Sequence, residues 1–127
     1  MNEFVAYKGE ILTIEWFFDE NGNSDALDFF ESLFNAQKRN ILILFKRIGD
    51  FGKISDITKF RNEGNKIYAF KPQPNRFLSF FHTGKKIIVT NAFRKKTKKP
   101  PKKEKLFALK QMNSYVSRVK TGEYYDR

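Results

Sequence analysis

Cysteine is absent from the 127 residues, so no disulfide framework and no thiolate metal site can form. Long apolar runs are also missing. The longest, such as Ile41 to Phe45, extend over only a few residues, and none has the length of a membrane span. The opening residues MNEFVAYKGE lack a basic region followed by an apolar stretch, so a signal peptide is not expected. Together these absences point to a reducing, cytoplasmic setting without a membrane partner. Internal repeats are missing, and only one stretch approaches low complexity. The carboxylates of the first half, Glu15, Asp19 and Glu20, have a spacing that fits no metal-binding motif. No metal and no cofactor is expected.

Positive charge and phenylalanine are abundant. Lys and Arg number 25 against 14 Asp and Glu, for a formal net charge of +11, and phenylalanine occurs 15 times. A basic chain of this size meets a polyanion or an acidic protein that masks it. The charge is uneven. Residues 1–52 carry 5 basic and 9 acidic groups, residues 53–90 carry 8 and 2, and residues 91–127 carry 12 and 3. If both parts share one fold, one region of its surface should be strongly cationic. The length suits a single domain over residues 1–127, long enough to bury a core without staples.

Residue patterning gives the elements. Ile11 to Phe18 (ILTIEWFF) is rich in β-branched and aromatic residues and predicts a strand. DENGNSD supplies a turn, with Ser24 or Asn23 placed to cap a helix over Asp25 to Asn35. A second helix is expected from about Ala36 to Ile48, with Ile41, Leu44, Phe45 and Ile48 as its stripe and Gly49 and Gly52 at its end. Lys66 to Phe70, Arg76 to His82 and Lys85 to Phe93 read as three strands of an antiparallel meander. They are separated by Pro72 and Pro74 and by a turn at Thr83-Gly84. RKKTKKPPKKEK, residues 94–105, holds eight basic groups and one acidic group. The last helix is expected over Lys102 to Lys120, with Leu106, Leu109, Met112, Val116 and Val119 as its buried stripe. The order β-α-α-β-β-β-α predicts an α+β fold with a small antiparallel sheet and the helices packed on one face.

The segment KIYAFKPQPNRFLSFFHTGKKIIVTNAFRKKTKKPPKKE, from Lys66 to Glu104, resembles the RelE/ParE toxin superfamily, and within it the phage-derived HigB-like branch. Lys71 matches a basic residue at a strand end, and Arg76 an arginine opening the next strand. Phe93 to Lys99, followed by Pro100, matches a closing Phe, Lys, Thr and Pro run. The resemblance implies a RelE-like fold and a metal-independent endoribonuclease that cuts mRNA, often on the ribosome. It also implies an antitoxin, expected to be a helix-turn-helix protein from an adjacent gene. Cations that stabilise a developing phosphorane, plus a base and an acid, suffice for such chemistry.

On that reading Arg76, Lys71, Lys96 and Tyr124 are the candidate catalytic residues. Arg76 offers a guanidinium fork for a phosphate. If the strand persists, alternation puts Arg94 and Lys96 on one face and Lys95 on the other, and the resemblance implies Lys96 as the active-site position by its spacing from Arg76 in the family. Tyr124 stands for the aromatic residue that several relatives carry near the chain end, and Tyr125 shares that position. Lys59, Arg61, Arg94, Lys95, Lys98, Lys99, Lys102 and Lys103 are candidate RNA-backbone contacts. His82 is the only histidine, but it stands beside the hairpin turn, roughly 20 Å of strand away from Arg76. No general base is evident in the motif. Two other functions share these features: a noncatalytic ParE-like inhibitor of DNA gyrase, and a basic nucleic-acid-binding module without catalysis.

Overall fold

In the computed structural model, residues 3–96 and 101–125 are described. The chain runs β1 (Val5–Lys8), β2 (Thr13–Trp16), α1 (Asp25–Glu31), α2 (Asn35–Phe51), β3 (Phe60–Gly64), β4 (Ile67–Phe70), β5 (Asn75–His82), β6 (Lys86–Arg94) and α3 (Lys102–Lys120). The strands form one six-stranded sheet in the order β1-β2-β6-β5-β4-β3. β2 pairs with β6 in parallel, and every other neighbouring pair is antiparallel. The fold is α+β, as expected.

Three details of the expected architecture are corrected. The sheet is mixed, because the hairpin formed by β1 and β2 enters it beside β6. It gains β1 (VAYK) and β3 (FRNEG), two short strands whose residues carry no apolar alternation and which exist through pairing at the sheet margins. The helices cover both faces. Trp16, Phe70, Phe77, Ile87 and Val89 pack with Ile41, Leu44, Phe45 and Ile48 of α2. Ile67, Ala69, Leu78, Phe80 and Ile88 pack with Ala108 and Tyr115 of α3 and with Tyr124. β5 and β6 are thus buried on two sides, which explains their nearly continuous apolar runs.

The expected stripe of α3 is rotated. Its buried positions are Ala108, Gln111 and Tyr115, while Leu106 and Val116 are 65% and 47% exposed. The cause lies in β6. The register passes from Leu78↔Asn91 to Ser79↔Val89, so Thr90 is an extra residue in a bulge. Its free backbone carbonyl accepts a bond from Gln111 Nε2 at 2.9 Å, and Asn91 Nδ2 donates to the carbonyl and carboxylate of Glu104, each at 3.1 Å. A polar seam therefore sits where a purely apolar stripe was expected.

Local signals act as anticipated elsewhere. Ser24 caps α1 by accepting from the Leu27 N–H at 3.2 Å. α2 ends at Gly52 with φ of 81°. Thr83 and Gly84, both at positive φ, make the β5–β6 turn. Beyond the end of β2, the Asp25 carboxylate takes over the ladder and accepts the Ala92 N–H at 3.1 Å.

The turn between β1 and β2 lies directly on α2. The Gly49 carbonyl accepts from the N–H groups of Ile11 and Leu12 at 2.8 and 2.9 Å. A Cβ on Gly9 would lie 2.2 Å from the Gly49 carbonyl carbon, so the hairpin and helix touch backbone to backbone. Gly9→Ala is expected to destabilise the fold by about 1–3 kcal/mol through overpacking, read as a lower urea midpoint. An unchanged midpoint would show that this contact is loose.

Candidate functional site

The basic residues converge where β4 leaves the sheet and β5 re-enters it. The Lys71 N–H donates to the Lys59 carbonyl at 2.8 Å, extending the β3–β4 ladder by one residue. The loop Pro72-Gln73-Pro74, with a cis bond before Pro74, then reverses the chain. It closes with the Asn75 N–H donating to the Pro72 carbonyl at 2.7 Å. Because Phe70 pairs with Phe77, Lys71 and Arg76 are cross-strand neighbours. Arg76 pairs in turn with Phe93, and the Lys95 N–H donates to the Pro74 carbonyl at 2.9 Å. Four strands thus deliver basic side chains to one end of the sheet.

The charges feel one another. Burial lowers the pKa of the Lys71 ammonium, and the cations of Arg76, Arg61 and Lys95 lower it further, against the opposing pull of Glu63. Lys71 also donates to the Ile57 carbonyl at 3.2 Å. Burial lowers Arg76 as well, again opposed by Glu63. Glu63 was not singled out by sequence. It stands in the polar stretch RNEG, whose strand character comes only from pairing with β4. Its backbone carbonyl is held by Lys105 Nζ of α3 at 2.8 Å. The site is therefore a cluster of cations, Arg61, Arg76 and Lys95, whose charges act on Lys71, with the Glu63 carboxylate opposing them at Lys71 and Arg76.

Arg76 is not an outward fork. The residue is 5% exposed, and its Nη1 donates to the Asn75 carbonyl at 2.9 Å. Among the described residues it makes no ion pair. In this conformation it acts on its surroundings through charge, whereas Lys71 and Lys95 are half-buried and partly accessible.

Arg94 and Lys96 share a face and Lys95 points away, as expected, and Lys95 is the one on the face of Arg76. Leu78 and Phe80 face α3, so Arg76, two residues before Leu78, faces α3 as well. Ala92 packs against the α2 side and Phe93 against the α3 side. Continued alternation puts Lys95 with Arg76, and Arg94 with Lys96 on the other face. The bulge at Thr90 decides which set faces α3, since one extra residue inverts every later side chain.

The other candidates are distributed as follows. Arg94 and Lys96 are exposed, as are Lys102 and Lys103 in the first turn of α3. Lys98 and Lys99 lie outside the described residues. Lys59 and Arg61 both reach the cationic end, Lys59 by its ladder position and Arg61 by its effect on Lys71.

Tyr124 is a core residue and is corrected as a catalytic candidate. It is 1% exposed, stacks on Phe17 with ring centroids 5.8 Å apart, and its hydroxyl accepts the Phe18 N–H at 2.9 Å. Burial pushes its pKa upward, so it is a poor proton carrier. Its place is beside β2, two strands from Arg76.

The opposite end of the sheet holds a second polar group. Glu15 is buried and pairs with Lys86 Nζ at 3.1 Å. Tyr125 donates to the Glu15 carboxylate at 2.7 Å and shares a hydroxyl contact with Tyr115. His82 packs on the edge of Tyr115 with centroids 4.9 Å apart. It lies at the far end of β5 from Arg76, as its sequence position implied. Among the described residues no three His, Cys, Asp or Glu side chains converge as metal ligands.

Residues 28–113, about two thirds of the chain, match the family model described as phage derived protein Gp49-like (DUF891). The chain belongs to that family, a RelE-like and toxin-like one. No curated protein gives a significant match. No helix among the described residues is long and apolar enough to cross a membrane.

Burial lowers the pKa of His82 below its ordinary 6.5, and the Lys86 cation adds to this against Glu15. On acidification the unfolded chain takes up this proton first, so stability falls as pH drops through the window below about 6.5. His82→Gln is expected to flatten that part of the stability profile, measured by denaturant midpoints from neutral to mildly acidic pH. An unchanged slope would show that His82 titrates alike in both states.

Proposed function

We propose that this chain is the toxin of a type II toxin–antitoxin pair, HigB-like in kind, and that it is a metal-independent endoribonuclease acting on mRNA at the ribosome. The observation that carries this reading is the gathering of Lys71, Arg76 and Lys95 at one end of the sheet, with the charges of Arg61 and Glu63 also felt there, in a RelE-like fold. The reading includes an antitoxin, a helix-turn-helix protein from an adjacent gene, that masks the cationic end.

The chemistry follows from these groups. Glu63 accepts the proton of a ribose 2′-OH, and the 2′-oxygen attacks the neighbouring phosphorus. Charge builds on the non-bridging oxygens, where Lys71 and Lys95 are placed to meet it. The P–O5′ bond breaks, giving a 2′,3′-cyclic phosphate and a 5′-OH, with Lys71 supplying the proton to the leaving oxygen. The lowered pKa of Lys71 suits a donor that must release its proton. Arg76 is a positioning residue in this scheme. Its buried charge holds the Lys71 pKa down, and in this scheme it would attract the phosphate through its field.

The test is induced expression in bacteria, with new 5′ ends mapped on a translated mRNA. In-frame cuts with growth arrest are expected. Lys71→Ala is expected to lower the cutting rate by about 100-fold or more. Arrest without cuts would favour gyrase inhibition, and no arrest from folded protein would remove the toxin reading.

Lys95 and Lys96 give a second comparison. Lys95→Ala should slow cleavage more than Lys96→Ala, because only Lys95 shares the Arg76 face. The reverse order, measured on a short RNA under single-turnover conditions, would contradict the face assignment.

The pH profile separates the role of Arg76 from simple structural support. Cleavage should fall at alkaline pH as Lys71 loses its proton, below the ordinary lysine value of 10.5. Arg76→Gln removes a neighbouring cation, so the Lys71 pKa rises and the alkaline limb moves to higher pH. A slower variant with an unmoved limb would make Arg76 a purely structural residue.

A further inference from the structure

The far side of the Pro72–Pro74 loop carries a groove that takes no part in the chemistry above. Asn40, Ile43, Leu44 and Arg47 of α2 form one wall, and Lys59, Pro72 and Gln73 the other, around a cavity of about 290 Å³. No carboxylate lines it. Ile43 is an exposed apolar surface, and the buried Pro72 backs the opposite wall. Asn40 and Gln73 are carboxamides, each with donors and an acceptor. Arg47 and Lys59 are cations. Asp56 lies close enough for its charge to be felt by both, but its Oδ1 is occupied by the Thr58 N–H and hydroxyl at 2.9 and 2.6 Å.

We propose that this groove receives the base of a nucleotide flanking the cut, with Asn40 and Gln73 reading its hydrogen-bonding edge and Arg47 and Lys59 holding its phosphate. The proposal rests on the ribonuclease reading and adds a specificity site to it. Unstacked RNA bases are recognised by this combination of an apolar surface and hydrogen bonds to the base edge. Carboxamides are suited to it because one group can give and take a bond in the same plane. The cavity has room for a single ring system. The groove is also continuous with the cationic end. Lys59 is the ladder neighbour of Lys71, and Lys71 the cross-strand neighbour of Arg76. Two strand spacings, about 10 Å, therefore separate the Lys59 and Arg76 positions. A polynucleotide that bends round the loop can place one base in the groove and the neighbouring phosphate at Lys71.

The test uses the full chain labelled with ¹⁵N and titrated with each of the four nucleoside 3′-monophosphates. One base is expected to shift the side-chain amide signals of Asn40 and Gln73 at concentrations about tenfold lower than the others, the scale of one well-formed amide–base pair. The exposed positions make Asn40→Ala with Gln73→Ala a tolerable double variant, and it should lose that preference and flatten the base preference at mapped cut sites. Shifts that are equal for all four nucleotides, or absent, would overturn the proposal. So would cuts with an unchanged base preference in the double variant, and in that case the ribonuclease reading survives alone. Selective shifts without any RNA cleavage would keep the groove as a nucleotide site and remove the ribonuclease reading. Signals that respond to a protein partner and to no nucleotide would make the groove a polypeptide surface and overturn its role in base reading.

Discussion

Burial of β5 and β6 on both faces is the constraint from which the rest of the molecule follows. The α2 side takes Phe77, Ile87 and Val89, and the α3 side takes Leu78, Phe80 and Ile88. With both faces covered, the middle of the sheet has no surface on which to present chemistry. Polar groups must collect at the strand ends, and they do so in two different ways. At the turn end, Glu15 and Lys86 neutralise each other and tie Tyr125 to the sheet. At the loop end, the charges of Arg76, Arg61 and Lys95 bear on Lys71, opposed by Glu63 alone among the carboxylates that act on it. The first arrangement is matched and holds the chain terminus in place. The second leaves positive charge uncompensated at the surface.

The bulge at Thr90 links these two ends. A strand buried on both sides can hardly tolerate an extra residue unless its backbone groups find partners. Here Gln111 of α3 bonds the Thr90 carbonyl, and Glu104 holds the neighbouring Asn91 side chain. The same residue inverts the side-chain alternation, so Phe93 turns under α3 and Lys95 joins Arg76. The packing of α3 and the composition of the cationic end are therefore consequences of one local irregularity.

Much of the fold was legible because its central elements obey simple periods. The stripe Ile41, Leu44, Phe45 and Ile48 marks α2, and the runs KIYAF, RFLSFFH and KIIVTNAF mark the meander. Lys71 and Arg76 were legible through the spaced motif around the proline loop. What escaped depends on partners distant in sequence. VAYK and FRNEG have no strand pattern of their own, and Glu63 gains its place only once β3 pairs with β4. The bulge leaves no mark in the run IIVTNAF, so alternation groups Arg94 with Lys96 and sets Lys95 apart but does not say which of them shares the face of Arg76. Tyr124 read as a free tail residue because its contacts with Phe17 and Phe18 span more than a hundred positions.

Like charges brought together raise the free energy of the unliganded fold, and the structure shows where that cost is borne. Burial already disfavours the charged forms of Lys71 and Arg76, and each neighbouring cation adds to the penalty on Lys71. Glu63 offsets part of it, but no carboxylate closes an ion pair with Arg76 among the described residues. A phosphate entering this end would relieve the repulsion among several groups at once. The interaction would therefore gain more than a single lysine–phosphate contact provides in water, because the cations are pre-assembled on a rigid sheet and partly desolvated. On the proposed reading, an acidic protein partner would act as an inhibitor by the same route. Any surface that neutralises this end relieves the same repulsion, and in doing so removes the field that a polynucleotide would use.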